Sequence, residues 1–343
     1  MASLVKAYAA TQAKGELKPF EFDLGPLNNE DQVEIAVDYC GICHSDLSML
    51  DNDWGFSRYP FVPGHEIVGK VVAAGSHVRN VKIGDTVGMG WFAGSCMSCN
   101  QCLSGNHNLC TDGKLAEQTI IGRHGGFANK IRCHWVWATA IPAGLDPAKL
   151  GPMFCGGVTV FNPIVQFDIK ATDRVGVIGI GGLGHMALKF LNKWGCEVVA
   201  FTSSDKKADE AKALGAHRII NSRDSNQLAA NAGYFDLILS TVNATMDWPA
   251  YINCLAPKGR LHTVGAIGEP VSLAAFPLIM GQKSFSGSPL GSPHTTRKMI
   301  EFCSRHQIEP VTELFPMSKV NDAIEHLRAG KARYRIVLKN DIN

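Results

Sequence analysis

Residues 174–194 read RVGVIGIGGLGHMALKFLNKW, and they combine a strand, a glycine-rich turn and a helix. The strand pattern is Arg174–Ile178, and the turn places glycines at G-x-G-x-x-G spacing over residues 179–184. The spacing alone is a weak signal, but a strand before it and a patterned helix after it predict a dinucleotide-binding unit. The helix carries apolar residues at three- and four-residue spacing. These are Leu183, Met186, Ala187, Phe190, Leu191 and Trp194.

The glycines of this turn have separate physical roles. The first, Gly179, allows the tight turn; the second, Gly181, lets the backbone approach a pyrophosphate; the third, Gly184, lets helix and strand pack closely. The amides at the helix N-terminus then face the phosphates. The predicted cofactor contacts in the turn are Gly179, Gly181, Gly182, Leu183 and Gly184.

The end of the next predicted strand, residues 197–201, bears on the choice of cofactor. A free 2′-hydroxyl usually meets Asp or Glu at this point, whereas hydroxyl donors and a lysine suit a 2′-phosphate. The sequence has hydroxyls followed by lysines, which favours NADP(H) over NAD(H). Asp205 argues the other way, unless it is only the N-cap of a solvated helix. The predicted phosphate contacts are Thr202, Ser203, Ser204 and Lys207.

Strand and helix patterns alternate from about residue 150, which predicts a parallel, doubly wound α/β sheet of Rossmann type. Before it, short alternating strands such as 33–37, 67–73 and 86–91 predict an all-β, barrel-like domain. After residue 289 come two helical stretches and a strand at 335–338, which we expect to rejoin that domain. The predicted domains are therefore 1–152 with 289–343, and 153–288.

The bulk composition excludes several classes of function. The chain has 343 residues, 45% of them hydrophobic, and a net charge of +2. It has no long basic run, so nucleic acid is not an expected partner. It shows no apolar span and no signal-peptide core, so we expect no membrane contact. Eleven cysteines without a secretory signal indicate reduced thiolates in the cytoplasm, some of them holding metal.

Four of the cysteines follow a C-x2-C-x2-C-x7-C pattern. Thiolates at this spacing converge on one ion, and four of them close a tetrahedral zinc shell with no open position. Such a site stabilises a loop and does no chemistry. An iron–sulfur cluster is the chemical alternative, but no proline follows the last cysteine and no second cluster motif is present. The predicted structural zinc ligands are Cys96, Cys99, Cys102 and Cys110.

Three further pieces are widely separated: residues 40–46 (CGICHSD), 63–66 (PGHE) and 154–157 (FCGG). Spacing alone does not join them. Together with the cysteine cluster and the glycine turn, they occur in the order of the zinc-containing medium-chain alcohol dehydrogenases, which the chain resembles over its whole length. Within that family it is most similar to the cinnamyl-alcohol-dehydrogenase branch and its bacterial NADPH-dependent aldehyde reductases. The segments that carry the resemblance are GICHSD, VPGHEIVG, CGGVTVFNP, VIGIGGLGHMALKF and LGA.

The resemblance implies a GroES-like catalytic domain beside the Rossmann domain, two zinc ions per chain and a homodimer. It implies that Cys43, His65 and Cys155 hold the catalytic zinc and leave one position open. The ligand is then the cysteine that precedes His-Ser-Asp, and Cys40 is a small buried residue. The resemblance also assigns roles to residues around the metal. Glu66 approaches the metal, Asp46 orients the histidine, Ser45 contacts the reacting oxygen, and Thr159 contacts the cofactor.

One position departs from the branch, whose members commonly have histidine three residues beyond the relay serine. This chain has Ser48 there, and serine does not titrate near neutral pH as imidazole does. The outer proton path then runs through Ser48 and water, or involves Asp53 or the cofactor ribose.

Aromatic residues near the metal-binding segments predict the substrate class. Such walls favour an apolar or aromatic aldehyde resembling cinnamaldehyde or benzaldehyde, and the corresponding primary alcohols. The alternative for each residue is an ordinary core position. An NAD-preferring enzyme and a non-catalytic relative remain the alternative functions. The predicted pocket residues are Trp54, Trp91, Phe92 and Leu290.

Overall fold

The computed structural model describes residues 3–27, 29–203 and 207–342. The chain divides into two compact units. One comprises Met1–Val158 with Gly291–Asn343, and the other comprises Thr159–Leu290. Cys155 belongs to the first of these units, although the boundary expected at residue 152 assigns it to the dinucleotide domain.

The chain up to α4 consists mainly of short strands with a few brief helices. Its labelled elements are β1 (Leu4–Ala9), β2 (Lys18–Asp23), β3 (Gln32–Ile42), α1 (His44–Asp51), β4 (Ile67–Ala74), β5 (Thr86–Met89), α2 (Asn100–Leu103), β6 (Lys130–His134), β7 (Thr139–Ala140), α3 (Pro147–Leu150) and α4 (Gly156–Gln166). Short 3-10 helices at His107–Leu109, Trp135–Trp137 and Gly151–Phe154 connect some of them.

The second unit alternates strand and helix. Its further elements are β8 (Arg174–Ile178), α5 (Gly184–Trp194), β9 (Glu197–Thr202), α6 (Ala208–Ala213), β10 (Arg218–Asn221), α7 (Ser225–Ala229), β11 (Phe235–Ser240), α8 (Trp248–Cys254), β12 (Leu255–Thr263), α9 (Ala275–Gly281) and β13 (Ser284–Gly287). All the strand pairs are parallel, in the order β10-β9-β8-β11-β12-β13. This is the Rossmann order, whose switch point lies between β8 and β11. The predicted doubly wound sheet is confirmed.

The C-terminal segment belongs to the first unit. It contains α10 (Pro293–His306), β14 (Thr312–Pro316), α11 (Val320–Arg328) and β15 (Arg335–Lys339), with a 3-10 helix at Met317–Lys319. Strand β15 pairs antiparallel with β3. The resulting sheet runs β14-β15-β3-β4-β5-β7, with β6 also paired to β3.

Burial follows the pattern that each type of sheet requires. In β3, Val33, Ile35 and Val37 lie at alternate positions and are at most 4% exposed. In β11, the consecutive residues Leu237, Ile238 and Leu239 are all fully buried, as expected for a parallel strand covered on both faces. Of the helices that the structure describes, none combines the length and apolarity that crossing a bilayer requires.

Candidate active site

The carboxylate of Asp46 ties together three backbone segments of the first unit. Cys43 is the N-cap of α1, and its amide donates to Asp46 Oδ2 at 2.9 Å. The amide of Gly64 donates to Asp46 Oδ1 at 2.8 Å, and His65 Nδ1 lies 2.9 Å from the same oxygen. The imidazole is fully buried, so this contact fixes the orientation of the ring and leaves Nε2 as the nitrogen that can bind a metal.

Four metal-binding side chains converge beside that ring. His65 Nε2 lies 3.2 Å from Cys155 Sγ, and the sulfurs of Cys43 and Cys155 are 3.9 Å apart. With a carboxylate oxygen of Glu66, all four donor atoms lie within 4.8 Å of one another, and all four residues are buried. Two thiolates on one tetrahedral zinc lie about 3.8 Å apart. The donor set therefore fits a zinc ion.

Hydrogen bonds and charges within this cluster shift the pKa values of its side chains. A hydrogen bond from Cys155 lowers the pKa of Cys43 well below its usual range, against the effect of burial. The same interaction raises the pKa of Cys155, and burial adds to it. Burial alone lowers the pKa of His65, but the charge and hydrogen bond of Asp46 outweigh it and raise that pKa. A cation held by these residues would take the place of the thiol protons, since metal ligands must be deprotonated.

Glu66 forms a buried ion pair that the sequence analysis missed. Arg335 Nη2 donates to Glu66 Oε1, and the two residues are 269 positions apart. Burial raises the pKa of Glu66 to about 7, although the Arg335 charge lowers it. Glu66 Oε2 has no hydrogen-bond partner among the described residues. One carboxylate oxygen is thus anchored, while the other is an unpartnered acceptor in a metal-donor cluster.

An aromatic series begins at the histidine of this site. The Trp91 ring meets the His65 ring edge-on, with centroids 5.0 Å apart. Trp54 meets Trp91 at 6.2 Å and stacks on Phe56 at 5.8 Å. Trp54 is 37% exposed, so the series runs from the buried donors to the surface. Trp54 and Trp91 are therefore brought together near the donor set, and Phe56 is an addition that the sequence analysis missed.

Phe92 departs from the predicted grouping. Its ring stacks on Trp137 with centroids 5.0 Å apart. Phe92 lies in an extended bridge with Gln118, and successive side chains of extended backbone point to opposite sides. It therefore does not join the ring of its neighbour Trp91. Leu290 is half-buried in the second unit.

The two serines that are predicted to relay a proton lie on α1. Ser45 Oγ is 3.8 Å from Cys43 Sγ, which places the hydroxyl at the donor set. Ser48 is buried and follows three positions later, so both residues lie on the same side of the helix. Cys40 is fully buried and is not among the four donors, as its interpretation as a small buried residue requires.

The four cysteines of the C-x2-C-x2-C-x7-C pattern meet in a second cluster. Cys99 caps α2, which contains Cys102, and Cys110 follows the 3-10 helix at His107–Leu109. The sulfurs of Cys96 and Cys102 are 3.8 Å apart, which matches the spacing of about 3.8 Å on a tetrahedral zinc. The amide of Cys99 donates to Cys96 Sγ at 3.2 Å. All four ligand atoms lie within 4.8 Å of one another.

Backbone amides lower the pKa values of two thiols of this cluster, whereas burial raises the pKa of Cys102 to about 12. The amide of Thr111, followed by that of Cys102, lowers the pKa of Cys99 to about 5. The amides of Ser98 and Cys99 lower the pKa of Cys96. Thiolate is the form that a metal binds.

The glycine turn of the second unit has the conformation that a pyrophosphate cradle needs. Gly179 has φ +86°, which favours glycine. A Cβ at Gly184 would overlap the carbonyl oxygen of Gly179, whereas a Cβ at Gly181 would meet nothing within 4 Å. The open side at Gly181 fits a close-approaching cofactor. Thr241, which the sequence analysis missed, donates its hydroxyl to the carbonyls of Gly179 at 2.7 Å and Ile178 at 3.0 Å.

The end of β9 carries the residues predicted to meet a 2′-phosphate. Thr202 is buried, Ser203 is exposed and Lys207 is half-buried, while Ser204 lies outside the described residues. The amide of Ser222, just beyond β10, donates to the Thr202 carbonyl at 3.0 Å. The ends of the two strands are therefore adjacent. Thr159 is buried in α4 of the second unit.

Comparison with known proteins identifies both parts of the chain. Residues 29–143 match the family described as alcohol dehydrogenase GroES-like domain, and residues 182–305 match the family described as zinc-binding dehydrogenase. The aldehyde reductase AdhA of Synechocystis sp. is 53% identical over 340 residues, which cover 99% of this chain and 100% of that protein.

Solved structures agree with the sequence comparison. A cinnamyl alcohol dehydrogenase from Sorghum bicolor superposes with a TM-score of 0.91 at 36% identity, covering 98% of both chains. A CAD from Helicobacter pylori, solved in complex with NADP(H), superposes with a TM-score of 0.88 at 30% identity over 99% of both chains. The chain therefore belongs to the zinc-containing medium-chain alcohol dehydrogenases, in their cinnamyl-alcohol-dehydrogenase branch.

Proposed function

We propose that this alcohol dehydrogenase is a zinc-dependent, NADP(H)-preferring aldehyde reductase that acts on apolar or aromatic aldehydes and on primary alcohols. The observation that carries the proposal is the buried donor set of Cys43, His65 and Cys155, oriented by Asp46 and flanked by the Trp91 ring. A buried donor set beside an aromatic wall suits a small apolar substrate that binds through one oxygen.

Different residues of the first unit have different roles in the proposed reaction. Zinc held by Cys43, His65 and Cys155 would supply a Lewis acid that polarises the carbonyl oxygen of the aldehyde. A bound nicotinamide would supply the hydride that the carbonyl carbon accepts, and the protein must deliver a proton to the oxygen. The Ser45 hydroxyl, beside Cys43, donates that proton. Ser48, one turn further on α1, connects Ser45 to the outside.

The cluster of four cysteines holds a second zinc, which stabilises its loop and takes no part in the reaction. Four thiolates leave no open position for a substrate. The expected content is therefore two zinc ions per chain. Thiolate ligands must stay reduced, and for this reason we place the enzyme in the cytoplasm.

The preference for NADP(H) rests on the end of β9. Thr202 and Ser203 supply hydroxyls there and Lys207 supplies a cation. Asp205, a carboxylate in the same stretch, lies outside the described residues. The adjacent end of β10 continues into Ser222 and Arg223, a further hydroxyl and a further cation. A dianionic 2′-phosphate is best bound by such donors and cations. The H. pylori relative was solved in complex with NADP(H).

We also propose that the enzyme is a homodimer formed by the second unit. Strand β13 ends the six-stranded sheet, and the helix before it, α9, exposes Phe276, Ile279 and Met280 by 68–70%. An open strand edge beside a large apolar patch is the arrangement that proteins cover. A second copy related by a two-fold axis presents the same edge and the same patch, so both are covered at once.

The test of the cofactor and substrate assignment is a comparison of kcat/KM for NADPH and NADH with cinnamaldehyde. We expect NADPH to be preferred by at least about tenfold, because a lost charge-assisted phosphate contact costs about 1.5–3 kcal/mol. A carboxylate in the Thr202→Asp variant repels the 2′-phosphate and should shift the preference towards NADH. Equal or better use of NADH by the unaltered enzyme would contradict the assignment and leave Asp205 as the residue that selects NAD(H).

A further inference from the structure

His262 is a buried histidine of the second unit that none of the roles above uses. It lies next to the carboxyl end of β12 and is fully buried. The parallel register places His262 opposite Ser286 of β13, and Thr263 opposite Gly287. A buried histidine needs partners for both ring nitrogens, and strand pairing places β13 within reach.

Both ring nitrogens of His262 contact serine hydroxyls of the neighbouring segment. Nδ1 lies 2.9 Å from Ser286 Oγ, and Nε2 lies 2.9 Å from Ser288 Oγ. Burial, with a contribution from the Arg260 charge, lowers the pKa of His262 to about 4. The ring is therefore neutral at physiological pH, with one nitrogen donating and the other accepting.

Arg260 sets the direction of these hydrogen bonds. Its guanidinium stacks over the Phe167 ring at 4.1 Å and donates to Ser286 Oγ at 3.1 Å. A hydroxyl that accepts from a cation becomes a better donor, so Ser286 donates to Nδ1. The ring proton then resides on Nε2 and is donated to Ser288. The sequence of contacts runs from Arg260 through Ser286 and His262 to Ser288.

Ser288 lies where a nicotinamide is expected in a sheet of this order. A doubly wound sheet binds its dinucleotide across the carboxyl ends of the strands, one mononucleotide on each half. The glycine turn after β8 belongs to the half that ends at β10. The nicotinamide half therefore belongs to the carboxyl ends of β11, β12 and β13. Ser288 is the first residue after β13, and Leu290 follows two positions later.

We propose that His262 is a positioning residue: its hydrogen bond to Ser288 holds the backbone beyond β13 in the conformation that receives the nicotinamide half of the cofactor. The inference rests on the proposed use of a nicotinamide dinucleotide. It does not depend on whether NADPH or NADH is preferred, because the 2′-phosphate binds at the other half of the sheet. Loss of the bond should weaken binding of the whole dinucleotide and spare its adenosine fragment.

The test uses the full-length, zinc-loaded enzyme and measures dissociation constants by calorimetry for NADPH and for adenosine 2′,5′-bisphosphate. His262→Asn keeps a polar group facing Ser286 and removes the one facing Ser288, and Ser288→Ala removes the same bond from the other side. We expect each variant to raise the NADPH dissociation constant about three- to tenfold, the usual worth of one hydrogen bond. The constant for the bisphosphate should stay within about twofold. His262→Gln, whose amide reaches the Nε2 position, should recover most of the NADPH affinity.

Cys196→Ala is the matched control, because it removes another buried hydrogen bond of this unit, the 3.3 Å contact with the Lys170 carbonyl at the opposite end of the sheet. It should leave both dissociation constants unchanged. Equal weakening of NADPH and bisphosphate in His262→Asn and Ser288→Ala would overturn the proposal, and so would unchanged NADPH binding in Ser288→Ala. If the unaltered enzyme binds NADH as tightly as NADPH, the cofactor assignment fails, and the same comparison with NADH and AMP still tests His262.

Discussion

Asp46 shows how one residue organises the donor set without being one of the four converging donors. Its two oxygens hold the amides of Cys43 and Gly64, and one of them also holds the His65 ring. Two proposed ligands are thus positioned through a single carboxylate. Partners of this kind orient metal ligands and raise their basicity.

Asp46→Asn tests this role. The amide keeps the size of the side chain but replaces one acceptor with a donor, so it cannot accept both backbone amides and the His65 proton. We expect the affinity of the Cys43–His65–Cys155 site for zinc to fall about 10- to 100-fold. Competition with a chelator measures that affinity. The cysteine cluster in the same protein is the internal control, and equal weakening of both sites would show general destabilisation instead.

The ion pair between Arg335 and Glu66 could not be predicted from the sequence. The family resemblance implied that Glu66 approaches the metal, but its ion-pair partner is 269 positions away in β15. No local sequence pattern predicts this pairing, since Arg335 begins an ordinary apolar strand. The one available signal was the charge of Arg335 in a strand that lies inside the sheet. A charged side chain is buried there only when it has a partner of opposite charge.

The glycine turn between β8 and α5 is the element for which sequence and structure agree most closely. The predicted strand has the observed bounds, and the predicted helix differs from the observed one by its first residue. Local patterns were sufficient here because the turn geometry, the apolar stripe and the helix N-terminus are all encoded within neighbouring residues. Phe92 shows the opposite case, since the direction of a side chain depends on the partner strand across from it.

Two alanine variants separate the roles of the turn. Gly181→Ala should leave the unfolding free energy within about 1 kcal/mol, because its backbone conformation is accessible to alanine and its Cβ meets open space. It should nevertheless abolish tight NADPH binding, since the methyl group occupies the path of the pyrophosphate. Gly184→Ala should lose both stability and binding, because its Cβ overlaps a carbonyl oxygen. Denaturant titration and NADPH calorimetry measure the two effects, and full NADPH affinity in Gly181→Ala would refute the assignment of this turn.

At the scale of the whole molecule, the sequence predicted two domains and the return of the C-terminal segment to the first. Strand β15 pairs with β3, and this pairing joins the C-terminal segment to the sheet of the first unit. The assembly of the metal donors in the first unit could not be predicted from local sequence patterns. The donors lie immediately before α1, before β4 and before α4, and only the family resemblance joined them. Long-range assembly of this kind depends on strand pairing, which no local pattern encodes.

A charged substitution in the proposed interface tests whether the protein is a dimer. Ile279→Asp places a carboxylate on the apolar face of α9, where the side chain is 68% exposed in the single chain. The folded chain should tolerate it, whereas burial of an unpaired charge between two copies is costly. We expect the variant to be monomeric by light scattering while the unaltered protein is dimeric. A dimer of unchanged stability in the variant would place the interface elsewhere.

The zinc content of the purified protein tests whether the chain has two zinc centres with separate roles. We expect about two zinc ions per chain, and about one in Cys43→Ser and in Cys99→Ser. The Cys43→Ser protein should be inactive with its cysteine cluster still loaded, and Cys40→Ser should keep both ions. Fewer than one zinc per chain in the unaltered protein, together with no dehydrogenase activity, would show that the two proposed zinc centres do not exist.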